Sequence, residues 1–297
     1  MKIEQISEIK CESSIVCADY KDHELVISSQ TGKIFIYREI KNVWELAAGT
    51  IKEFSIEVVK WYENLILCGG IEGEICILSC VPKSKYLNLL YTQRIHRSTL
   101  KDIVWRNSDI FTCGFDSMVN ICRLTQDNEL IFLNIIQKIE AHKGWVTGLV
   151  LSENCLISQG SDNVVAVWNL EDFKKLKELR FVTNSEKTRL ISKPCYYKNL
   201  IAISDTYGYD DEEGSFFVWN ILTGQVIQAP ILISHYLETS DQLKRIRNWR
   251  TQIEVQCTAF VKEGIFVASA NCVFFYSFPN YSLAYQTEIN QNGYIIV

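Results

Sequence analysis

Short apolar runs recur along the chain, each closing on a bulky or aromatic residue soon after a turn: Lys33–Tyr37, Glu74–Leu78, Val164–Trp168 and Ser215–Trp219 are four of them. The closing residues Tyr37, Leu78, Cys122, Trp168, Trp219 and Tyr276 lie 41, 44, 46, 51 and 57 residues apart. Runs that alternate, or are continuously apolar and β-branched, suit strands on a pleated, half-buried surface. Upstream of each lies a second run, such as Leu65–Cys68, Ile110–Cys113 or Leu156–Ser158, joined through Thr31-Gly32, Glu72-Gly73 or Asp162-Asn163 in the manner of a hairpin. A further run precedes each pair (Ser14–Cys17, Ile56–Val59, Leu100–Val104, Val146–Val150) and another follows it (Trp44–Leu46, Leu89–Tyr91, Leu133–Ile136). Each unit therefore supplies four short strands, and the spacing is that of a four-stranded propeller blade rather than a helical repeat. The expected fold is all-β: one propeller domain over residues 1–297, with six clear four-stranded blades. Met1–Ile9 and Gly293–Val297 are spare strands that either pair into a partial seventh blade, join an end blade or leave a place for a partner's strand.

Composition narrows the class. With 47% hydrophobic residues in 297, a large core can form, and no apolar stretch approaches the roughly 18 residues that cross a bilayer. No membrane partner is expected. The N-terminus alternates charge and apolarity without a signal-peptide block, so an intracellular location, nucleus or cytoplasm, is expected. Most of the eleven cysteines, including Cys17, Cys68, Cys76, Cys113, Cys122, Cys257 and Cys272, fall in expected strands, where a reduced cysteine is a small buried hydrophobe. No C-x-x-C pair exists and Cys76 and Cys80 have no second pair nearby, so no metal is expected. The formal charge of −5, from 30 basic and 35 acidic residues, limits any nucleic-acid role to a local basic patch.

The segment Ala141–Leu149, then Leu156–Asp162, then Val167-Trp168, resembles a full repeat of the WD-repeat (WD40) β-propeller family. The family's motif places His142 before the first strand, Ser158 on the second, Asp162 in the next turn and Trp168 on the third. In the preceding repeat His96, Thr112 and Asp116 stand at equivalent places, and Cys122 replaces the tryptophan. Elsewhere the aspartate position holds Thr31, Glu72, Glu213 and Ala270, so the ends of the chain depart from the motif. The resemblance implies that an Asp in a tight turn fixes a His, which meets a hydroxyl, which meets an indole N–H inside the blade. Serine, histidine and aspartate are also the residue types of acyl transfer; here they read as structural, and no catalytic residue is assigned. Cys68–Gly73 sits in a hairpin ahead of a strand rather than a helix, so it is no phosphate loop, and no cofactor is expected.

Candidate partner contacts lie elsewhere. Trp145 is an aromatic candidate within the fourth repeat. Two insertions interrupt the rhythm. Asp205–Gly214 carries Asp210, Asp211, Glu212 and Glu213 between the second and third strands of the fifth unit; four adjacent acids repel unless solvated or paired. Ser234–Arg250 is the second, and its core, Gln242–Arg250, interleaves Lys244, Arg245, Arg247 and Arg250 with Leu243, Ile246 and Trp249, a spacing that suits a short amphipathic helix able to grip phosphate or an acidic partner. In a WD-repeat strand order both insertions leave the same face, where they neutralise each other or serve a ligand.

The segments around Gly144–Leu149, Ile157–Gln159, Asp162, Val167-Trp168 and Asp172-Phe173 resemble the fourth repeat of HIRA-type histone chaperones. Trp105-Arg106 through Phe115–Ser117 to Ile139–His142 also resembles the WD-repeat protein of cytosolic iron–sulfur assembly, and the chain's length resembles propellers of coat and nuclear-pore scaffolds. These resemblances imply a non-enzymatic scaffold subunit whose partners are other protein subunits, with histones as the clients of the first. A propeller hydrolase is the remaining alternative.

Overall fold

A computed structural model describes residues 9, 13–51, 56–80, 85–127, 130–180, 193–205, 215–232, 255–269 and 272–288. They form 24 strands in six four-stranded antiparallel sheets, the blades of a six-bladed β-propeller. The first sheet holds β1 (Ile15–Lys21), β2 (Glu24–Ser29), β3 (Lys33–Ile40) and β4 (Val43–Ile51), and the second β5 (Ile56–Tyr62), β6 (Leu65–Gly70), β7 (Glu74–Cys80) and β8 (Leu87–Arg94). The third holds β9 (Leu100–Arg106), β10 (Asp109–Gly114), β11 (Met118–Asp127) and β12 (Leu130–Glu140). The fourth is β13 (Val146–Leu151), β14 (Cys155–Gly160), β15 (Val164–Asn169) and β16 (Lys175–Arg180). β17 (Cys195–Tyr197), β18 (Leu200–Asp205), β19 (Ser215–Asn220) and β20 (Val226–Leu232) form the fifth. The sixth consists of β21 (Val255–Val261), β22 (Gly264–Ser269), β23 (Cys272–Ser277) and β24 (Ser282–Glu288). In every sheet consecutive strands are neighbours, so a meander of local hairpins builds each one. The chain divides into two compact units, one running to Leu149 and the other from Val150.

Burial explains why the apolar runs are continuous in some strands and broken in others. The second strands β2, β6, β10 and β14 are each half-buried at the first residue and buried at the next five. A strand covered on both faces has no polar side to alternate with. The fourth strands β8 and β12 are exposed at most positions, and they carry the charged and polar residues. Turn chemistry follows the residues available: Asp22-His23, Lys41-Asn42 and Lys198-Asn199 all have positive φ at both positions, the two-residue turn whose twist matches the flanking strands.

The closing residues of the apolar runs share one further feature. In each sheet the register between the third and fourth strands slips at that residue: Ile36/Tyr37, Ile77/Leu78, Ile121/Cys122, Val167/Trp168, Val218/Trp219 and Phe275/Tyr276. The unpaired residue opposite is Ala47, Leu90, Ile136, Leu176, Ile227 or Ala284, so the fourth strand carries one extra residue at the same place six times. Leu78, Cys122, Trp168, Trp219 and Tyr276 are buried at these places. Of the spare terminal strands expected at Met1–Ile9 and Gly293–Val297, all but Ile9 lies outside the described residues, and the described residues form six blades.

Candidate interaction site

The polar network of the third sheet is anchored by His96, whose side chain is fully buried. Its Nδ1–H donates to Asp116 Oδ1 at 2.9 Å, with Oδ2 at 3.2 Å, because a carboxylate can only accept. On the other side of the ring Nε2 hydrogen-bonds the Thr112 hydroxyl at 2.9 Å. Asp116 also takes the Arg97 N–H at 2.8 Å and the Met118 N–H at 3.3 Å, so one carboxylate ties the entry loop to the β10–β11 turn. Cys122 cannot complete the chain as an indole would; burial pushes its thiol up to about 12. Asn120 closes it instead, its Nδ2 lying 3.2 Å from His96 Nε2 and donating to the Ile95 carbonyl at 2.8 Å. Sequence reasoning missed Asn120, which sits as a polar residue inside an apolar run.

In the fourth sheet the Trp168 Nε1–H donates to Ser158 Oγ at 2.9 Å, and Ser158 is fully buried. His142 is buried ahead of β13, and Asp162 is half-buried in the β14–β15 turn. Ser158 and Thr112, the hydroxyls an acyl-transfer reading would need as nucleophiles, are thus inside their sheets and engaged, where no substrate reaches them. Among the described residues no three His, Cys, Asp or Glu side chains converge into a metal site, and the nine described cysteines are free thiols. Asp210, Asp211, Glu212, Glu213, Lys244, Arg245, Arg247, Trp249 and Arg250 lie outside the described residues; β18 and β19 do flank the acidic segment as second and third strands of the fifth sheet.

Charge also clips the first strands of successive sheets together. Lys60 Nζ on β5 reaches Asp19 Oδ1 on β1 at 2.8 Å, and the Trp61 N–H donates to Asp19 Oδ2 at 2.9 Å. Burial works against the Lys60 ammonium, but Asp19 and Asp102 outweigh it and hold its pKa above the usual range. Lys101 on β9 reaches Glu57 on β5 at 3.1 Å. Asp102, buried, accepts the Leu149 N–H at 2.9 Å and the Ile103 N–H at 2.9 Å.

Trp145 is the sequence candidate that the structure places against identifiable neighbours at the surface. It is 44% exposed just before β13, and its ring stacks on Phe115 with centroids 4.5 Å apart and planes 19° from parallel. Phe115 occupies the β10–β11 turn immediately before Asp116, so the buried His96 network holds it in place. Its N–H donates to the Thr99 carbonyl at 2.9 Å, and the Thr99 hydroxyl donates to the Ile71 carbonyl at 3.2 Å. Gly114 permits this approach, since a Cβ there would stand 2.7 Å from the Thr99 oxygen. Lys101 Nζ lies 5.8 Å from the Phe115 centroid. Ile71, in the matching turn of the second sheet, is 45% exposed. The readable signal for Phe115 was an aromatic in a turn where the next repeat has Ser161.

These features define the class as a β-propeller whose blade interiors hold structural polar networks and whose turns present an apolar patch. Three solved structures share its fold at 13–14% identity. Sqt1 of Saccharomyces cerevisiae matches with a TM-score of 0.67 over 91% of this chain and 72% of its own, at 13% identity. A chain of the mitotic checkpoint complex matches with a TM-score of 0.68, 14% identity, over 92% of this chain and 79% of that one. The computationally designed Ika8 protein matches at 0.60 and 13% identity, over 95% and 89%. No family model matches the chain, and no curated protein does.

Proposed function

We propose that this propeller is a non-enzymatic interaction subunit of a multiprotein complex. The observation that carries the reading is the Phe115–Trp145 stack: large aromatic surface left partly open on a rigid turn, the kind of anchor around which protein interfaces concentrate their binding energy. The shared fold with a chain of the mitotic checkpoint complex supports a role within an assembly. The engagement of Ser158, Thr112, His96 and Asp116 in blade interiors supports the absence of hydrolase chemistry there.

The narrower reading is a histone-chaperone subunit, which rests on the resemblance of the fourth repeat, Gly144 to Phe173, to that family. In it Asp210–Glu213 meets basic histone tails. Affinity purification of the tagged protein from its own cells, with crosslinking and mass spectrometry, tests both levels. A stoichiometric complex containing histones is the expected result for the narrower reading. Iron–sulfur assembly or coat components would replace it while keeping the scaffold, and a monomer without partners would overturn the scaffold.

A further inference from the structure

From the register of the second sheet we infer that Cys68 and Cys76 are a redox-sensitive pair, closing to a cross-strand disulfide when hydrogen peroxide reaches them and reopening with a dithiol. The inference is independent of the interaction reading above. The two residues stand directly opposite each other on β6 and β7, both reduced and both buried in the cluster that the first and second sheets share. Among the described residues no other two cysteines are opposed across a ladder. Opposed residues of an antiparallel pair have Cα atoms about 4.5–5.5 Å apart, within the range of about 4.4–6.8 Å that a disulfide spans. Their Cβ atoms are about 4.5–5.5 Å apart against about 3.5–4.5 Å in a disulfide, so the strands draw together slightly to close the bond. A bond made under that strain is readily reduced again, which separates a switch from a structural staple.

Access comes from the outer edge of the sheet. β8 is its last strand, exposed at most positions, and a strand with so little buried surface opens locally at low cost. Thr92 on β8 is exposed and opposite Cys76, and its hydroxyl lies 3.2 Å from Cys76 Sγ. Cys76 is therefore one strand from solvent, with a hydroxyl placed to donate to its thiolate. Deprotonated Cys76 attacks one peroxide oxygen; the O–O bond breaks, the departing hydroxide takes up the proton that Cys76 lost, and the sulfur becomes a sulfenic acid. Cys68 then attacks that sulfur, its proton leaves with the displaced hydroxide as water, and an S–S bond replaces the S–O bond. The two thiols give up two electrons, and one peroxide is reduced to two waters. Closing the bond draws Cys76 Sγ away from the Thr92 hydroxyl, so β8 loses a side-chain tie to its sheet. Cys17 and Cys80 pack at the margin of the same cluster and are the competing thiols.

The test treats the full-length protein with hydrogen peroxide, blocks the remaining thiols with N-ethylmaleimide, cuts after Glu72 and Glu74, and maps joined peptides by mass spectrometry. The expected product is a Cys68–Cys76 link that dithiothreitol removes, with Cys80 alkylated. Cys80→Ala is expected to leave the link in place, and Thr92→Val to slow its formation severalfold. Hydrogen exchange of the Leu87–Arg94 amides is expected to rise on oxidation and to return on reduction, and Cys68→Ala to abolish both the link and the rise. Should Cys68→Ala fail to fold, the Cys80→Ala and Thr92→Val proteins still decide the matter. A link between Cys76 and Cys80, thiols that survive excess peroxide unchanged, equal rates with and without the Thr92 hydroxyl, or β8 exchange indifferent to oxidation would overturn the proposal.

Discussion

Asp116 shows how much one carboxylate can organise. Burial would raise its pKa, yet the hydrogen bond from His96 and those from the Arg97 and Met118 N–H groups outweigh burial and hold it below its ordinary 3.8. A carboxylate whose folded pKa is depressed contributes stability that is complete above the unfolded value and drains away as pH falls through the folded one. Asp116→Asn is therefore expected to cost about 1–3 kcal/mol at neutral pH. The gap between variant and wild type in urea denaturation should hold steady down to the ordinary carboxylate range and close below it. A gap that persists unchanged into strong acid would show that Asp116 owes nothing to its charge. At this scale the sequence was partly legible: the resemblance to the WD-repeat motif marked His96, Thr112 and Asp116, because the motif's residues recur at fixed places. Phe115 against Trp145 was not legible, since two residues thirty positions apart meet only when the β10–β11 turn and the start of β13 come together. Asn120 was hidden for the opposite reason, a polar side chain that looks misplaced until the buried His96 ring needs it.

At the scale of elements, every run named from the apolar pattern in the first four units falls within or overlaps a strand, and the ends grew by a few residues, as Leu133–Ile136 grew into β12. Extension comes from pairing: once β11 and β12 align from Met118–Glu140 to Asp127–Leu130, polar residues such as Asn134 and Gln137 join a ladder that their hydropathy alone does not announce. The clips between first strands were equally invisible, because Asp19 and Lys60 are 41 residues apart and belong to different repeats. Their side chains keep about a quarter of their exposure, which moderates the energy. Lys60→Met and Asp19→Asn are each expected to cost about 1–2 kcal/mol. In a double-mutant cycle the combined cost should fall short of the sum by about 0.5 kcal/mol or more. Strict additivity would mean that Asp19 is held by the Trp61 N–H and does not feel Lys60.

For the molecule as a whole, six unequal repeats reach one architecture although only the third and fourth carry most of the polar motif. The repeats share apolar positions and bulge sites, and burial enforces these even where the aspartate position holds Thr31 or Glu72. Architecture was legible for that reason, while the choice of partner was not, because it depends on a patch assembled from turns of different sheets. The six bulges carry a consequence for the protein's behaviour in concentrated solution. Each fourth strand is a sheet edge, and Leu90, Ile136, Leu176 and Ile227 expose aliphatic side chains there. A straight edge of that kind invites a second molecule to add its own strand, and then a third. One extra residue reverses which side chains face outward beyond it, so an incoming strand can match only half its length. Deleting Ile136 should therefore raise turbidity at a given concentration, whereas Ile136→Lys, which keeps the irregular edge, should leave the solution clear; equal turbidity from both would mean that exposed oiliness alone governs association. The residue that looks like an error in each repeat is thus expected to keep one molecule from templating the next.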